Sequence, residues 1–168
     1  MTDIRYPDYE SLELDWPEPH VLRVTLSRGR MNSLDFQMHR DLSSIWRLID
    51  EDPEVSAVVL AGKGRAYSAG GDFDMVQRII DDYDFRCQMW KEGRALVRNM
   101  LDCGKPIVSA ISGAAAGGGL ATALLADGAS QAAPPSSWTG TPPWAWPPTT
   151  MRSRYGRCCA DCPRRSTT

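Results

Sequence analysis

The chain has 168 residues, 42% of them hydrophobic, and a formal net charge of −2 at pH 7. That length allows one domain with a real core, and no run of about 18 apolar residues supplies a membrane-spanning helix. The mild acidity, with no basic stripe before residue 150, excludes nucleic acid as an expected partner.

The amino-terminal stretch MTDIRYPDYE is acidic and polar, unlike a signal peptide. The five cysteines are therefore expected to stay reduced in a cytoplasmic protein. Residues 11–16 (SLELDW) and 20–26 (HVLRVTL) flank Pro17 and Pro19 and read as a β-hairpin. The polar loop SRGRMNS follows, where Ser33 or Asp35 can cap the next helix. That helix, DFQMHRDLSSIWRLIDE, places Phe36, Met38, Leu42, Ile45, Trp46 and Ile49 on one face. Asp52-Pro53 ends it. SAVVLAG (56–62) is a short apolar run bounded by glycine, the pattern of a buried parallel strand. KGRAYSAGGDFDM reads as a loop. Residues 82–102 show helical spacing in Phe85, Met89, Ala95, Leu96 and Met100. KPIVSAIS is another short strand, and GAAAGGG turns into the helix LATALLAD. Strand, turn, helix units of this kind imply an α/β architecture.

Two loops share a design. Ser68-Ala69-Gly70-Gly71-Asp72 and Gly113 to Gly119 each follow a short apolar strand and carry almost no side-chain volume. Small residues let a ligand approach the backbone. Amides at a turn or a helix N-terminus can then donate to an oxygen carrying negative charge. Two donors converging on one carbonyl would form an oxyanion hole. Each loop alone reads as well as a tight turn or a close helix contact. GAAAGGG lacks both the Lys-Ser/Thr ending of a phosphate-binding loop and the G-x-G-x-x-G spacing.

MNSLD, then GRAYSAGGDFDM, then KPIVSAISGAAAGGGLATALLAD resembles the enoyl-CoA hydratase/isomerase (crotonase) superfamily in order, spacing and flanking strands, over roughly residues 10–127. The resemblance implies a ββα-spiral α/β fold, assembled in the family as homotrimers or hexamers. It also implies an acyl-CoA thioester as partner, with coenzyme A part of the substrate and no separate cofactor or metal. Carried over by position, the donor amides are those of Gly71 and Gly118. Arg65, Ala66, Ser68, Ala69, Gly70 and Asp72 would line the CoA and thioester path, with Gly117 beside Gly118. Ser33 and Leu34 would lie toward the pantetheine or adenine end. Arg65 reads equally as a plain surface charge.

The pattern also departs from the family. Its hydratases place a glutamate two residues after GGG, where this chain has Ala121, and a second some twenty residues later, where PPSSWTGTPPWAW has no acid. General acid–base catalysis needs a titratable group within reach of the proton, so two-glutamate hydration is not supported. Asp72 and Asp74 are the nearest acids, and Asp72 reads as a turn cap. His20 and His39 read as surface or half-buried histidines far from the loops.

Composition changes abruptly after Asp127. From Gly128 onward there is one acid, Asp161, against five arginines, with three of six tryptophans and seven of twelve prolines, so residues 128–168 read as a disordered stretch foreign to the 1–127 core. Cys158, Cys159 and Cys162 lack the second ligand pair that zinc would need. Two origins stay open for the change: a native proline-rich extension, or a one-nucleotide shift of reading frame near Gly128. In the shifted frame Trp138-Thr139 must give Asp, Trp144-Ala145 Gly and Trp146-Pro147 Ala, because tryptophan has a single codon ending in G. The intervening residues permit D-G-H-T-P-L-G-V-A, which resembles a segment of one crotonase subgroup, and later residues permit an ending LPKAKYY. Three functions stay open at this level: an acyl-CoA enzyme, a truncated inactive remnant of one, or an unrelated anion-binding α/β module.

Overall fold

A computed structural model of the chain describes residues 5–131. Strands β1 (Leu12–Glu18) and β2 (Val21–Leu26) form the expected hairpin, and α1 (Phe36–Glu51) follows. Next come β3 (Ala57–Gly62), β4 (Ala66–Ser68), α2 (Phe73–Asp81) and α3 (Tyr83–Asp102). The described part ends with β5 (Ile107–Ile111), β6 (Ala114–Ala115), α4 (Gly117–Leu125) and β7 (Gly128–Gln131).

A five-stranded sheet runs in the order β1-β2-β3-β5-β7, and β4 and β6 make a separate two-stranded ribbon. Only β1 is antiparallel to its neighbour; β2, β3, β5 and β7 pair in parallel. Pro17 sits in the edge strand β1, beside a register irregularity between Asp15 and Glu18, where a missing N–H costs no ladder bond. Burial alternates along the parallel strands β2 and β3, so one face of each is turned into the core. Val58 and Leu60 of β3 and Ile107 of β5 are all fully buried.

Helix α1 begins where the Asp35 side chain accepts the Met38 N–H at 2.9 Å, so Asp35 rather than Ser33 is the cap. Its expected apolar face packs inward: Met38, Leu42, Ile45, Trp46 and Ile49 have no exposed surface. Each such side chain contributes about 1.5–3 kcal/mol of burial. Helix α3 presents Phe85, Met89, Leu96 and Met100 to the interior, as its spacing predicts.

Three features differ from the sequence reading. The segment 63–75, read as one loop after β3, contains β4 and the first three residues of α2. Helix α2 repeats apolar residues at helical spacing (Phe73, Val76, Ile79 and Ile80), yet among the described residues it buries none of them. The glycine-rich run before α4 contains the two-residue strand β6, too short for any composition signal. Finally, the sheet does not stop at the compositional break: β7 extends 4 residues past Asp127 and pairs with β5 through backbone groups. Asp127 itself accepts the Ile107 N–H at 2.9 Å and donates its own N–H to the Ile107 carbonyl, which fixes the start of that pairing. The remaining residues of the foreign stretch, and the reading of them as disordered, lie outside the described residues.

Tyr67, in β4, is the largest core side chain after Trp46, and its hydroxyl is buried without a hydrogen-bond partner among the described residues. Burial disfavours the phenolate and pushes this hydroxyl from an ordinary value of 10.0 up to about 12. Unfolded chains therefore release this proton before folded ones. The stability tied to it is complete below pH 10 and is lost as pH rises toward about 12. Urea unfolding of the wild type from pH 8 to pH 12 should show that decline. Tyr67→Phe should match or exceed wild-type stability near neutrality and lose less of it above about pH 10. Tyr6 and Tyr9, whose hydroxyls are also raised by burial, keep the decline from vanishing altogether.

Candidate active site

The site is built on the backbone of residues 31–34, which serves as a template for the loop after β4. The Met31 carbonyl accepts the Ala69 N–H at 2.8 Å, Leu34 N–H donates to the Gly70 carbonyl at 2.7 Å, and Asp72 N–H donates to the Leu34 carbonyl at 2.9 Å. Leu34 and Gly71 thus form an isolated parallel bridge. In such a bridge the bonds use groups flanking Gly71, so the Gly71 N–H points away from Leu34. It has no acceptor among the described residues.

The second loop arrives from β5. Gly113 turns with φ +64°, and a Cβ there would lie 2.0 Å from the Arg65 carbonyl oxygen. Ala116 is the N-cap of α4 and supplies no side-chain cap. The Gly117, Gly118 and Gly119 amides are therefore first-turn donors without intrahelical acceptors, at the positive end of the helix dipole. The two loops touch. A Cβ on Gly70 would lie 3.0 Å from the Ala116 carbonyl oxygen, and one on Gly117 would lie 3.5 Å from Gly70 Cα and 3.9 Å from the Gly71 nitrogen. Two unpaired donors, Gly71 and Gly118, therefore sit on adjacent exposed backbones.

A cleft of about 340 Å³ opens beside this junction, lined by Arg28, Gly29, Arg30, Met31, Ser33, Asp35 and Asp72. Arg28 is held by Asp35 at 2.5 Å, whereas Arg30 has no carboxylate partner among the described residues. Neither arginine stands out by sequence, yet both line the cleft on either side of Gly29.

The structure sorts the candidate residues. Gly70, Gly71, Asp72, Gly117 and Gly118 meet at the loop junction, and Ser33 lines the cleft. Ala69 is exposed beside Gly70. Arg65 is exposed but does not line the cleft, and it offers its carbonyl to the Gly113 turn. Three others are buried and cannot present their side chains to a ligand. Ala66 and Ser68 have no exposed surface, and Leu34, at 4%, lies under the junction, its Cδ2 atom 3.4 Å from a Cβ placed on Gly118. They support the site from beneath.

Asp72 caps α2: its Oδ1 atom accepts the Asp74 and Met75 N–H groups at 3.0 and 3.2 Å. That employs it as the cap the sequence suggested. Ala121 is exposed on α4, a helix without an acid. The histidines are engaged elsewhere: His20 Nδ1 lies 2.9 Å from the Glu54 carbonyl, and His39 Nδ1 lies 3.4 Å from Glu92. No cluster of three potential metal ligands occurs among the described residues, and none of their helices is long and apolar enough to cross a membrane.

Gly113→Ala should cost several kcal/mol, or prevent folding, because the added methyl meets a carbonyl oxygen as well as a left-handed φ. Gly29→Ala, with φ +57° and nothing within 4 Å, should cost only about 1 kcal/mol. Urea denaturation of the two variants checks the contrast.

Comparison with known proteins agrees with this geometry. Residues 18–139 match the family described as enoyl-CoA hydratase/isomerase. A mevalonyl-coenzyme A hydratase of Beauveria bassiana is 30% identical over 128 residues, covering 72% of this chain and 46% of that protein. An (E)-benzylidenesuccinyl-CoA hydratase of Thauera aromatica is 37% identical over 109 residues, covering 64% and 42%. The crystal structure of an enoyl-CoA hydratase/isomerase from Mycobacterium paratuberculosis superposes with a TM-score of 0.72 at 31% identity, over 75% of this chain and 51% of that one. The chain thus spans about half the length of the relatives it matches. The crotonase-like α/β fold expected from the motifs is the fold observed. With the fold, the order of its two glycine loops and the family match in agreement, the chain belongs to the enoyl-CoA hydratase/isomerase family.

Proposed function

We propose that this chain binds an acyl-CoA thioester and holds the thioester carbonyl oxygen between the Gly71 and Gly118 amides. The observation that carries this reading is the pair of unpaired donors on two abutting backbones, one of them in the first turn of α4. Such donors stabilise charge that develops on the oxygen as an enolate forms, because they are already oriented before reaction. Met75 and Val76 approach Gly71, with Val76 Cγ2 3.5 Å from a Cβ built there, and give the acyl side an apolar wall. The cleft with Arg30 gives the polar CoA side a cation. Coenzyme A enters as part of the substrate, so the reading needs no separate cofactor. The reaction class is hydration or isomerisation through an enolate-like state. The proton-transferring group is not on α4, where Ala121 stands at the family's glutamate position. Assembly into trimers or hexamers is part of the same reading.

A second reading is favoured by the codon constraint on the segment after Asp127. The forced residues from Trp138, Trp144 and Trp146 fall where the shifted frame spells a family-like segment. On that reading residues from about 128 onward are an out-of-frame translation, and the chain is an inactive remnant that keeps half of a site. Sequencing the gene decides it. A single inserted or deleted nucleotide near codon 128 supports it, and a frame intact in the parent lineage, with no family resemblance in the alternate frame, rules it out.

Gly118→Pro tests the first reading. Proline is tolerated in the first turn of a helix and removes the amide donor, but its ring also meets Leu34, whose Cδ2 lies 3.4 Å from a Cβ built on Gly118, so melting temperature is measured beside turnover. Assayed against a panel of enoyl-CoA thioesters, the variant should stay folded and lose about 10²–10³-fold in kcat. Turnover equal to wild type would remove Gly118 from the site, and no turnover by the wild type would favour the remnant.

A further inference from the structure

On the acyl-CoA reading, which the following rests on, two donor amides from different loops must be held in register. Ser68 has no exposed surface, yet it contacts both loops of the junction. Its hydroxyl donates to the Asn32 carbonyl at 2.7 Å and accepts the Gly70 N–H at 3.2 Å. Its carbonyl accepts the Ala116 N–H at 3.0 Å, one residue before α4 begins. Its Cβ and Oγ atoms occupy the space a side chain on Gly119 would need, 2.3 and 2.4 Å from a Cβ built there. One residue therefore bonds the template strand, the Gly70-Gly71 turn and the N-cap of α4, and packs against the first turn of that helix.

Asn32 anchors this arrangement from the other side. It is fully buried at φ +51°, a left-handed conformation that asparagine tolerates better than most residues. Its Nδ2 atom donates to the Lys63 carbonyl at 2.9 Å and the Ala66 carbonyl at 2.8 Å, and its Oδ1 atom accepts the Arg28 N–H at 3.2 Å. The carbonyl that receives the Ser68 hydroxyl is thus fixed in place, and so is the hydroxyl.

We propose that Ser68 is a positioning residue that sets the distance and direction between the Gly71 and Gly118 donors, through its hydroxyl on the turn and its packing against Gly119. It touches no ligand. Removing the hydroxyl frees the Gly70 N–H and lets the Gly71 amide drift relative to α4. Small misplacement of donors weakens polarisation of the carbonyl much more than it weakens grip on the remainder of the thioester.

The test uses the full chain and a cinnamoyl-type chromophoric CoA thioester, whose absorption moves to longer wavelength when its carbonyl is polarised. Titrated with this probe, the wild type should bind with a red shift. Ser68→Ala should bind with a dissociation constant within about threefold of wild type but with a smaller red shift, and Ser68→Cys, which keeps a weak donor and acceptor in place, should recover part of the shift. A full red shift in Ser68→Ala overturns the inference. So does a loss of affinity and of melting temperature that accounts for the lost shift, because that is the signature of general structural damage. A wild type that binds the probe with no red shift denies that the two amides form a hole, and the inference falls with it. A wild type that does not bind the probe at all overturns the acyl-CoA reading itself and takes the inference with it.

Discussion

Backbone meets backbone at Gly70 and Gly117, with no side chain between them, and the remainder of the site depends on that contact. A methyl group on Gly70 would press on the Ala116 carbonyl oxygen at 3.0 Å, and one on Gly117 would stand against Gly70 Cα. Contact this close brings main-chain amides of two different strand-to-helix connections to one place. It explains why both loops have lost their side chains. It also explains why β4 and β6 pair outside the main sheet: that short ribbon carries the loops to each other.

The contact is held by polar groups that are buried and satisfied. Asn32 accepts an unusual backbone angle and uses its amide and carbonyl to fasten residues 28, 63, 66 and 68. A buried network of this kind is rigid only when each member is paired. Tyr67 and Ser109 carry the nearby hydroxyls that lack partners among the described residues, and both face the core rather than the junction. The unsatisfied groups at the junction are the donor amides, exposed where a ligand can supply the acceptor. Gly71 on one loop and the first-turn amides of α4 on the other are thus the groups left for a ligand to pair.

Much of the architecture was legible because burial leaves a periodic trace. Trp46 and its neighbours mark the inner face of α1, Val58 and Leu60 mark a covered strand, and Leu96 and Met100 mark the inner face of α3. Helix α2 has an apolar stripe of Phe73, Val76, Ile79 and Ile80 but buries none of it among the described residues, and its start lies in the segment read as a loop; β6 is too short to have a pattern. In the site, the small residues of the two loops were legible as a means of close approach. The assignment of Ser68, Ala66 and Leu34 to a ligand path was not supported, because position within a motif does not say which way a side chain points. Arg30 was passed over for the complementary reason: an arginine in a polar turn reads as solvated until the turn is seen to border a cleft.

By itself the sequence determined the β1-β2 hairpin, α1, β3, α3, β5 and α4, the two glycine loops and the absence of a glutamate at Ala121, because propensity, periodicity and residue identity are local properties. The abrupt change of composition after Asp127 was equally a matter of residue identity alone. Only the tertiary structure decided that the two loops abut and that the Gly71 amide is left unpaired by its bridge to Leu34. It also showed that Ser68 lies under the junction instead of in the cleft, and that the sheet runs on through β7. These are relations between segments tens of residues apart, set by sheet register and by how closely two backbones can approach, which no single stretch of sequence contains.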